Sequence, residues 1–330
     1  MAAVSEGGRS MVSATSPLNN ELMIFSGSSN PQLAAEIAAY LKLPLGQIQL
    51  SRFSSGEIYT RVKDNVRGRS VFVIQSSTAK VNEELMELFI IIDSMKRASA
   101  RSVTAVIPHF PYARQDKKSA SREPISARLV ADLLTASGID RVITMDLHSD
   151  QIQGFFNVPV DHLTALPLLA NYLKDKNLKN AVVVAPDTGR AKTAKKLADR
   201  LDVPLAILHK RRPEHQKVEV THIVGDVKGK TAILVDDMVD TAGTAVGGIQ
   251  VLRDEGVAPD VYMVATHGIL SGSAVERFKQ GKLKEVVFTN SIPMTESKQF
   301  PGLTVISAAP LLGEAIRRAY ENQSISSLFD

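Results

Sequence analysis

Residues Thr231 to Thr244 read TAILVDDMVDTAGT: an apolar run, two adjacent carboxylates, then a loop of small and hydroxyl-bearing residues. That order suits a phosphorylated sugar. Small side chains at Ala242 and Gly243 let the backbone close around a phosphate. Its charge is then met by N–H groups where a helix begins and by the hydroxyls of Thr241 and Thr244. Asp236 and Asp237 are left to bind sugar hydroxyls or a divalent cation. The plainer reading is that the two acids end a strand and that Asp240 or Thr241 is a helix N-cap.

Other charged clusters qualify for the same chemistry. VVVAPDTG (182 to 189) ends a second apolar run in Asp187, either a turn residue or a carboxylate beside Asp236 if the two strands are neighbours. TMDLHSDQIQGFF (144 to 156) sets Asp146 and His148 just past another run. An isolated histidine is more often structural than a ligand, and the same holds for His109, His162, His222 and His267. No HExxH spacing marks a zinc site. Lys210, Arg211 and Arg212 open a polar stretch that is either a solvated basic loop or a cationic lid over polyphosphate. Tyr112 to Lys118, YARQDKK, with Arg122 nearby, is a second cationic stretch, in which Arg114 has the planar fork that holds phosphate or stacks on a base. There is no GxxxxGK[ST] loop, no HRD with DFG and no GxSxG, so any ATP is bound another way.

Elements that position these residues follow from periodicity. Short β-branched runs alternate with helical segments, the pattern of an α/β fold with mostly parallel sheets. Strands are expected at 22–25, 70–75, 103–108, 141–145, 181–185, 205–208, 231–235, 261–265, 286–289 and 303–306. Helices are expected at 31–42, 83–100, 124–137, 165–174 and 191–201, and another begins near Val246. Pro31 and Pro124 suit first-turn positions, and Gly138 suits a C-cap. The pattern restarts near residue 160, which implies two similar halves, 21–162 and 163–330, behind a Ser-, Gly- and Ala-rich stretch at 1–20 read as a flexible leader.

Composition narrows the class. The chain has 330 residues, 44% of them hydrophobic, enough for about two packed domains. Zero cysteines exclude disulfides and a Cys nucleophile and fit a reducing compartment, so a cytoplasmic location is expected. The longest apolar stretch, Leu85 to Met95, is broken by Glu87 and Asp93 and is too short to span a bilayer. A net charge of +4, without a basic stripe interleaved with aromatics, implies no nucleic acid and favours small phosphorylated substrates.

With these residues assembled, the chain resembles the ribose-phosphate pyrophosphokinases, or phosphoribosyl pyrophosphate synthetases. The resemblance runs from about Leu22 to Phe329 and rests on FSSGEIYTRVKDNVRG (53 to 68), ELMELFIIIDSMKRASA (84 to 100), PYARQDKK (111 to 118), TMDLHSDQIQGFF and VDDMVDTAGT (235 to 244). It implies two type I phosphoribosyltransferase-like α/β domains, each a mostly parallel sheet flanked by helices, with the ATP side in the first. It also implies transfer of the β,γ-diphosphoryl group of ATP to the 1-hydroxyl of ribose 5-phosphate, with Mg2+, to give phosphoribosyl pyrophosphate and AMP.

By that resemblance, Asp240, Thr241, Ala242, Gly243 and Thr244 hold the 5-phosphate, and Asp236 and Asp237 lie by the ribose hydroxyls and metal. His148 and Asp187 match magnesium-associated positions, and Lys210 and Arg212 the catalytic cations. Arg114 and Gln115 match ATP contacts. Phe53, Ser55 and Glu57 match a loop reaching the adenine of a neighbouring subunit, so a homo-oligomer, a hexamer built from dimers, is expected. Arg67, Arg122 and the tail residues Ser324, Ser326 and Ser327 match regulatory positions, which implies activation by inorganic phosphate and control by ADP. Two departures stand out. Ser55 replaces the usual Asp or Asn, and Arg190 replaces the second glycine of a PD-x-GG pattern. The alternatives are a nucleobase phosphoribosyltransferase, which shares only the 235 to 244 signature, and a catalytically silent subunit of the synthetase.

Overall fold

The computed structural model describes residues 21–211 and 219–328, with the side chains at 210, 211 and 219–221 outside that description. The first sheet has five parallel strands in the order β1-β4-β5-β6-β7. They are β1 (Leu22–Ser26), β4 (Ser70–Ile74), β5 (Ser102–Ile107), β6 (Arg141–Met145) and β7 (Val160–Leu163). A separate antiparallel hairpin, β2 (Ile48–Arg52) and β3 (Ile58–Val62), stands apart from it. The second sheet has seven strands in the order β10-β9-β8-β11-β12-β13-β14. These are β8 (Ala181–Ala185), β9 (Leu205–Arg211), β10 (Glu219–Val224), β11 (Thr231–Val239), β12 (Val261–Gly268), β13 (Glu285–Thr289) and β14 (Leu303–Ile306). All its pairings are parallel except β9 with β10.

Helices cover both sheets, which explains why every residue of β4, β8, β12 and β13 is buried and why those strands are apolar without alternation. They are α1 (Pro31–Leu41), α2 (Val81–Arg97), α3 (Ser126–Ser137), α4 (Leu166–Asp175), α5 (Ala191–Leu201), α6 (Gly243–Asp254), α7 (Ala274–Gly281) and α8 (Ala309–Tyr320). Asn30 caps α1 by accepting from the Leu33 N–H at 3.2 Å, with Pro31 in the first turn as expected. Gly138 ends α3 at φ 103°, also as expected. Pro124 does not open α3, which starts at Ser126. The chain reaches the helix through non-helical backbone at Ile125, φ −113° and ψ 80°.

The last helix, α8, crosses back to the first sheet. Leu312, Ala315 and Ile316 are wholly buried with Leu33 and Ile37 of α1 and Ile24 of β1. Burying Leu312 and Ile316 contributes about 1.5–3 kcal/mol each. Polar ties join the two sheets elsewhere. The Thr266 hydroxyl donates to Asp146 at 2.6 Å, the Asn30 amide donates to the Asn290 carbonyl at 2.8 Å, and the Ser76 hydroxyl donates to the Ser291 carbonyl at 2.5 Å.

Candidate active site

β11 lies between β8 and β12 in parallel register, so the residues at its carboxyl end share one edge of the sheet with those that follow β8. Open α/β sheets bind ligands at such an edge. The strand is longer than its apolar run suggests. It continues through Asp236 and Asp237 to Val239, with Asp236 opposite Ala265 on β12, so the carboxylates are part of the strand rather than residues beyond it.

Two segments distant in sequence converge on these carboxylates. His148, from the turn after β6, sets Nδ1 2.8 Å from Asp237 Oδ2. Arg190 ends a short 3-10 turn whose cap is Asp187, the Asp187 carboxylate accepting the Arg190 N–H at 3.2 Å. Its side chain reaches back so that one terminal nitrogen lies 2.8 Å from both Asp237 Oδ2 and His148 Nδ1 and 3.3 Å from the His148 carbonyl. Its Nε lies 3.3 Å from Asp236 Oδ1. An arginine is donor-only and always charged, so Nδ1 either accepts from Arg190 or carries the proton it gives to Asp237.

This packing splits the two acids. Burial pushes both carboxyls up. For Asp237 that is outweighed by hydrogen bonds from His148 and Asp236 and by the Arg190 charge, which bring it down to about 2. For Asp236, burial and the proton shared with Asp237 prevail over Arg190 and hold it well above the usual carboxylate range. The pair therefore carries one proton and one negative charge, balanced by one guanidinium.

The expected metal positions do not assemble into a metal cage. Among the described residues no group of three or more His, Asp or Glu side chains is placed to hold a metal ion. His148 faces Arg190 and Asp237 while Asp187 caps a turn, so these residues do not fit a protein-held divalent ion.

Past β11 the chain turns through the loop expected to hold the phosphate and into α6. Ala242 is buried and left-handed at φ 60°, and α6 begins at Gly243, its first intrahelical bond running from the Val246 N–H to the Ala242 carbonyl at 3.0 Å. The N–H groups of Gly243, Thr244 and Ala245 precede that bond, as an anion site at a helix start requires. Thr241, Gly243 and Thr244 are exposed at the mouth of the loop. Asp240 accepts from the Ser271 hydroxyl and pairs with Arg114 Nη1 at 2.8 Å. A residue expected on the ATP side thus touches the loop expected to hold ribose phosphate.

Arg277, on α7, was not singled out from the sequence. It donates to the Thr241 carbonyl at 2.7 Å, and a Cβ at Gly243 would come within 3.3 Å of its guanidinium. The glycine therefore leaves room for a cation beside the phosphate loop. Gln115 is tied to the start of α3 through the Ser126 hydroxyl and the Ala127 N–H.

Phe53, Ser55 and Glu57 occupy the turn of the β2–β3 hairpin. The Ser55 hydroxyl donates to Glu57 at 2.6 Å, and Phe53 packs edge-on against Tyr59, 5.6 Å between centroids, with 57% of its surface exposed. Among the described residues, no hydrogen bond or ion pair joins this turn to Arg114. Lys210 lies within β9, which runs to Arg211 rather than ending at Leu208, and its side chain is outside the described part. Arg212 lies outside the described residues.

Of the regulatory candidates, Ser326 lines a cavity of about 680 Å3 with Arg141, His162, Lys192, Lys196 and Arg318. Ser324 and Ser327 are fastened to Arg318 at its rim. Arg67 and Arg122 do not line it.

Similarities to known proteins bear on this arrangement. The N-terminal domain of ribose phosphate pyrophosphokinase matches residues 22–138, and the phosphoribosyl synthetase-associated domain matches residues 212–330. The chain is 55% identical to a ribose-phosphate pyrophosphokinase of Caldanaerobacter subterraneus, over 94% of this chain and 98% of the relative. It is 51% identical to that of Bacillus caldolyticus, over 96% and 100%. The crystal structure of phosphoribosylpyrophosphate synthetase from Mycobacterium smegmatis superposes with a TM-score of 0.86 at 48% identity, covering 92% of this chain and all of that one. With a mostly parallel sheet covered on both faces, a carboxylate pair on its central strand and a loop of small residues directly after it, the chain belongs to the ribose-phosphate pyrophosphokinase family.

Proposed function

We propose that the site performs its family's reaction, moving the β,γ-diphosphoryl group of ATP to the 1-hydroxyl of ribose 5-phosphate, and that the residues divide the work as follows. The observation that carries this is the continuity of β11 and α6, which sets Asp236 and Asp237 one loop ahead of the helix start at Gly243. That spacing matches a sugar with its phosphate at one end. Asp240 to Thr244 hold the 5-phosphate through backbone N–H groups and hydroxyls, and Asp237, kept ionised, accepts from ribose hydroxyls. Arg114 and Gln115 bind ATP, a reading supported by the Arg114–Asp240 ion pair beside the loop assigned to the sugar phosphate.

Catalysis in a loose phosphoryl transition state is positioning plus charge stabilisation, with no covalent nucleophile. Lys210, at the end of β9, and Arg212, two residues on in sequence, supply cations to the transferred group. Magnesium arrives complexed to the ATP phosphates. The exposed Phe53, with Ser55 and Glu57, reaches the adenine of a neighbouring subunit in a hexamer built from dimers. Arg67, Arg122, Ser324, Ser326 and Ser327 form the phosphate- and ADP-responsive surface. Among the described residues no helix is long and apolar enough to cross a membrane, and the cysteine-free composition suits the cytoplasm. The two halves meet as an ATP domain, 21–162, and a ribose 5-phosphate domain, 163–330, behind a leader at 1–20.

A ³¹P NMR time course with ATP, Mg2+ and ribose 5-phosphate, with and without inorganic phosphate, tests this. AMP and a sugar-linked pyrophosphate are expected, faster with phosphate. Intact ATP under both conditions would favour a silent subunit or a nucleobase phosphoribosyltransferase. Lys210→Ala is expected to lower kcat by about 10²-fold or more, as for a lost preorganised donor, and an unchanged kcat would remove Lys210 from the mechanism.

A further inference from the structure

Arg190 stands where the family pattern has glycine, yet it makes more contacts with the carboxylate pair than any other cation described here. Its backbone is fixed on both sides. The N–H is held by Asp187, and α5 follows at once, anchored by the buried Ala194, Leu197 and Ala198. A cation at a helix N-terminus opposes the helix dipole, so something else must hold the charge there. That something is the site. The side chain is 17% exposed, and its nitrogens meet Asp237 at 2.8 Å, His148 Nδ1 at 2.8 Å, the His148 carbonyl at 3.3 Å and Asp236 at 3.3 Å.

Carboxylate oxygens, an imidazole nitrogen and a backbone carbonyl are the donors a divalent ion would gather. Here they converge on a guanidinium, at hydrogen-bond separations rather than the roughly 2.0–2.2 Å of a small divalent ion. A second positive centre in the same space would meet Coulomb repulsion from Arg190, and its ligands are already engaged.

We infer that Arg190 is the resident cation of this site: its guanidinium joins His148 to Asp236 and Asp237 and takes the place of a protein-bound divalent ion, so the free protein holds no metal there. Arg190 is thus a positioning residue built into the chain. It keeps the carboxylates aligned before any substrate arrives, and the divalent ion of the reaction is the one that ATP brings. The functional consequence rests on the diphosphoryl-transfer reading, but metal binding by the free protein does not.

The test is Mn2+ binding without nucleotide, followed by electron paramagnetic resonance, for the wild type, Arg190→Gly and Arg190→Gln. Gln keeps the side chain's reach and loses its charge, and serves if the glycine variant does not fold. Wild type is expected to bind no stoichiometric Mn2+ below about 1 mM, the weak end of oxygen-ligand sites. The charge-removing variants are expected to gain one Mn2+ per chain at least about tenfold more tightly, and a second change, Asp237→Asn, to abolish the gain. The inference is overturned if the wild type already binds one Mn2+ that Asp237→Asn removes. It is equally overturned if a folded Arg190 variant binds no better than the wild type. Failure of the ³¹P assay with the expected Mn2+ pattern would instead count against the reaction and leave Arg190 in its role.

Discussion

The buried histidines between the two sheets make stability depend on pH in a way that can be worked through. His109, after β5, lies with its ring 4.8 Å from that of His267 on β12, and its Nδ1–H donates to the Ser77 carbonyl at 3.1 Å. Burial, reinforced by the neighbouring His267, brings His109 from 6.5 down to about 3. A folded value below the unfolded one means the unfolded chain takes up the proton first as pH falls. The stability is therefore fully present above pH 6.5 and is lost between 6.5 and 3. Between pH 7 and pH 5 the loss from this one group is about 2 kcal/mol, and by pH 3 about 4 kcal/mol. His109→Asn keeps a donor near the Nδ1 position and removes the titration, while His267 stays in both proteins and largely cancels. Urea unfolding at pH 7 and pH 5 should show the wild type losing about 2 kcal/mol more than the variant. Equal losses would mean that His109 is charged as easily folded as unfolded, and the burial argument would fail.

Other outcomes follow from the same geometry. Arg277→Ala removes a guanidinium beside the phosphate loop and should raise KM for ribose 5-phosphate about tenfold with kcat nearly kept, the signature of lost uniform binding in steady-state kinetics. Asp240→Asn breaks a pair whose arginine is 55% exposed, so melting should register a change below about 1 kcal/mol, and a larger one would show that the loop folds around that pair. Glu285→Ala removes the shared partner of half-buried Tyr172 and Thr304 and of exposed Lys176 and should cost about 0.5–1.5 kcal/mol in chemical denaturation. A neutral result would mean that these groups repartner.

Sequence patterns exposed the strands buried on both faces, because a parallel strand between two helical layers must be continuously apolar, as VVVA and AILV are. The same rule hid the β2–β3 hairpin, whose residues are all at least partly exposed and so carry neither a continuous run nor a clean alternation. It also cut β11 short, since Asp236 and Asp237 break the run although the ladder with β12 continues. The small-residue loop before α6 was legible because its residues are consecutive. Arg190 was visible only as an anomaly. Its partners His148 and Asp237 lie 42 and 47 residues away, and no local spacing connects them. Arg277, 36 residues from the Thr241 carbonyl it holds, gave no signal for the same reason.

Those long-range contacts share a direction. His148 with Asp237, Arg114 with Asp240, and Asp146 with Thr266 each join a loop at the carboxyl edge of the first sheet to the carboxyl edge of the second. Each is polar and short, so each fixes an angle as well as a distance, which apolar packing between the sheets would not do. A site assembled this way exists only while the two edges stay aligned. A shift of about 1 Å between them would break several contacts at once, and a group transfer between two edges tolerates little error in position. Arg190 reinforces the alignment from within, because its guanidinium ties Asp236 and Asp237 to each other and to His148 and balances the single negative charge the pair carries.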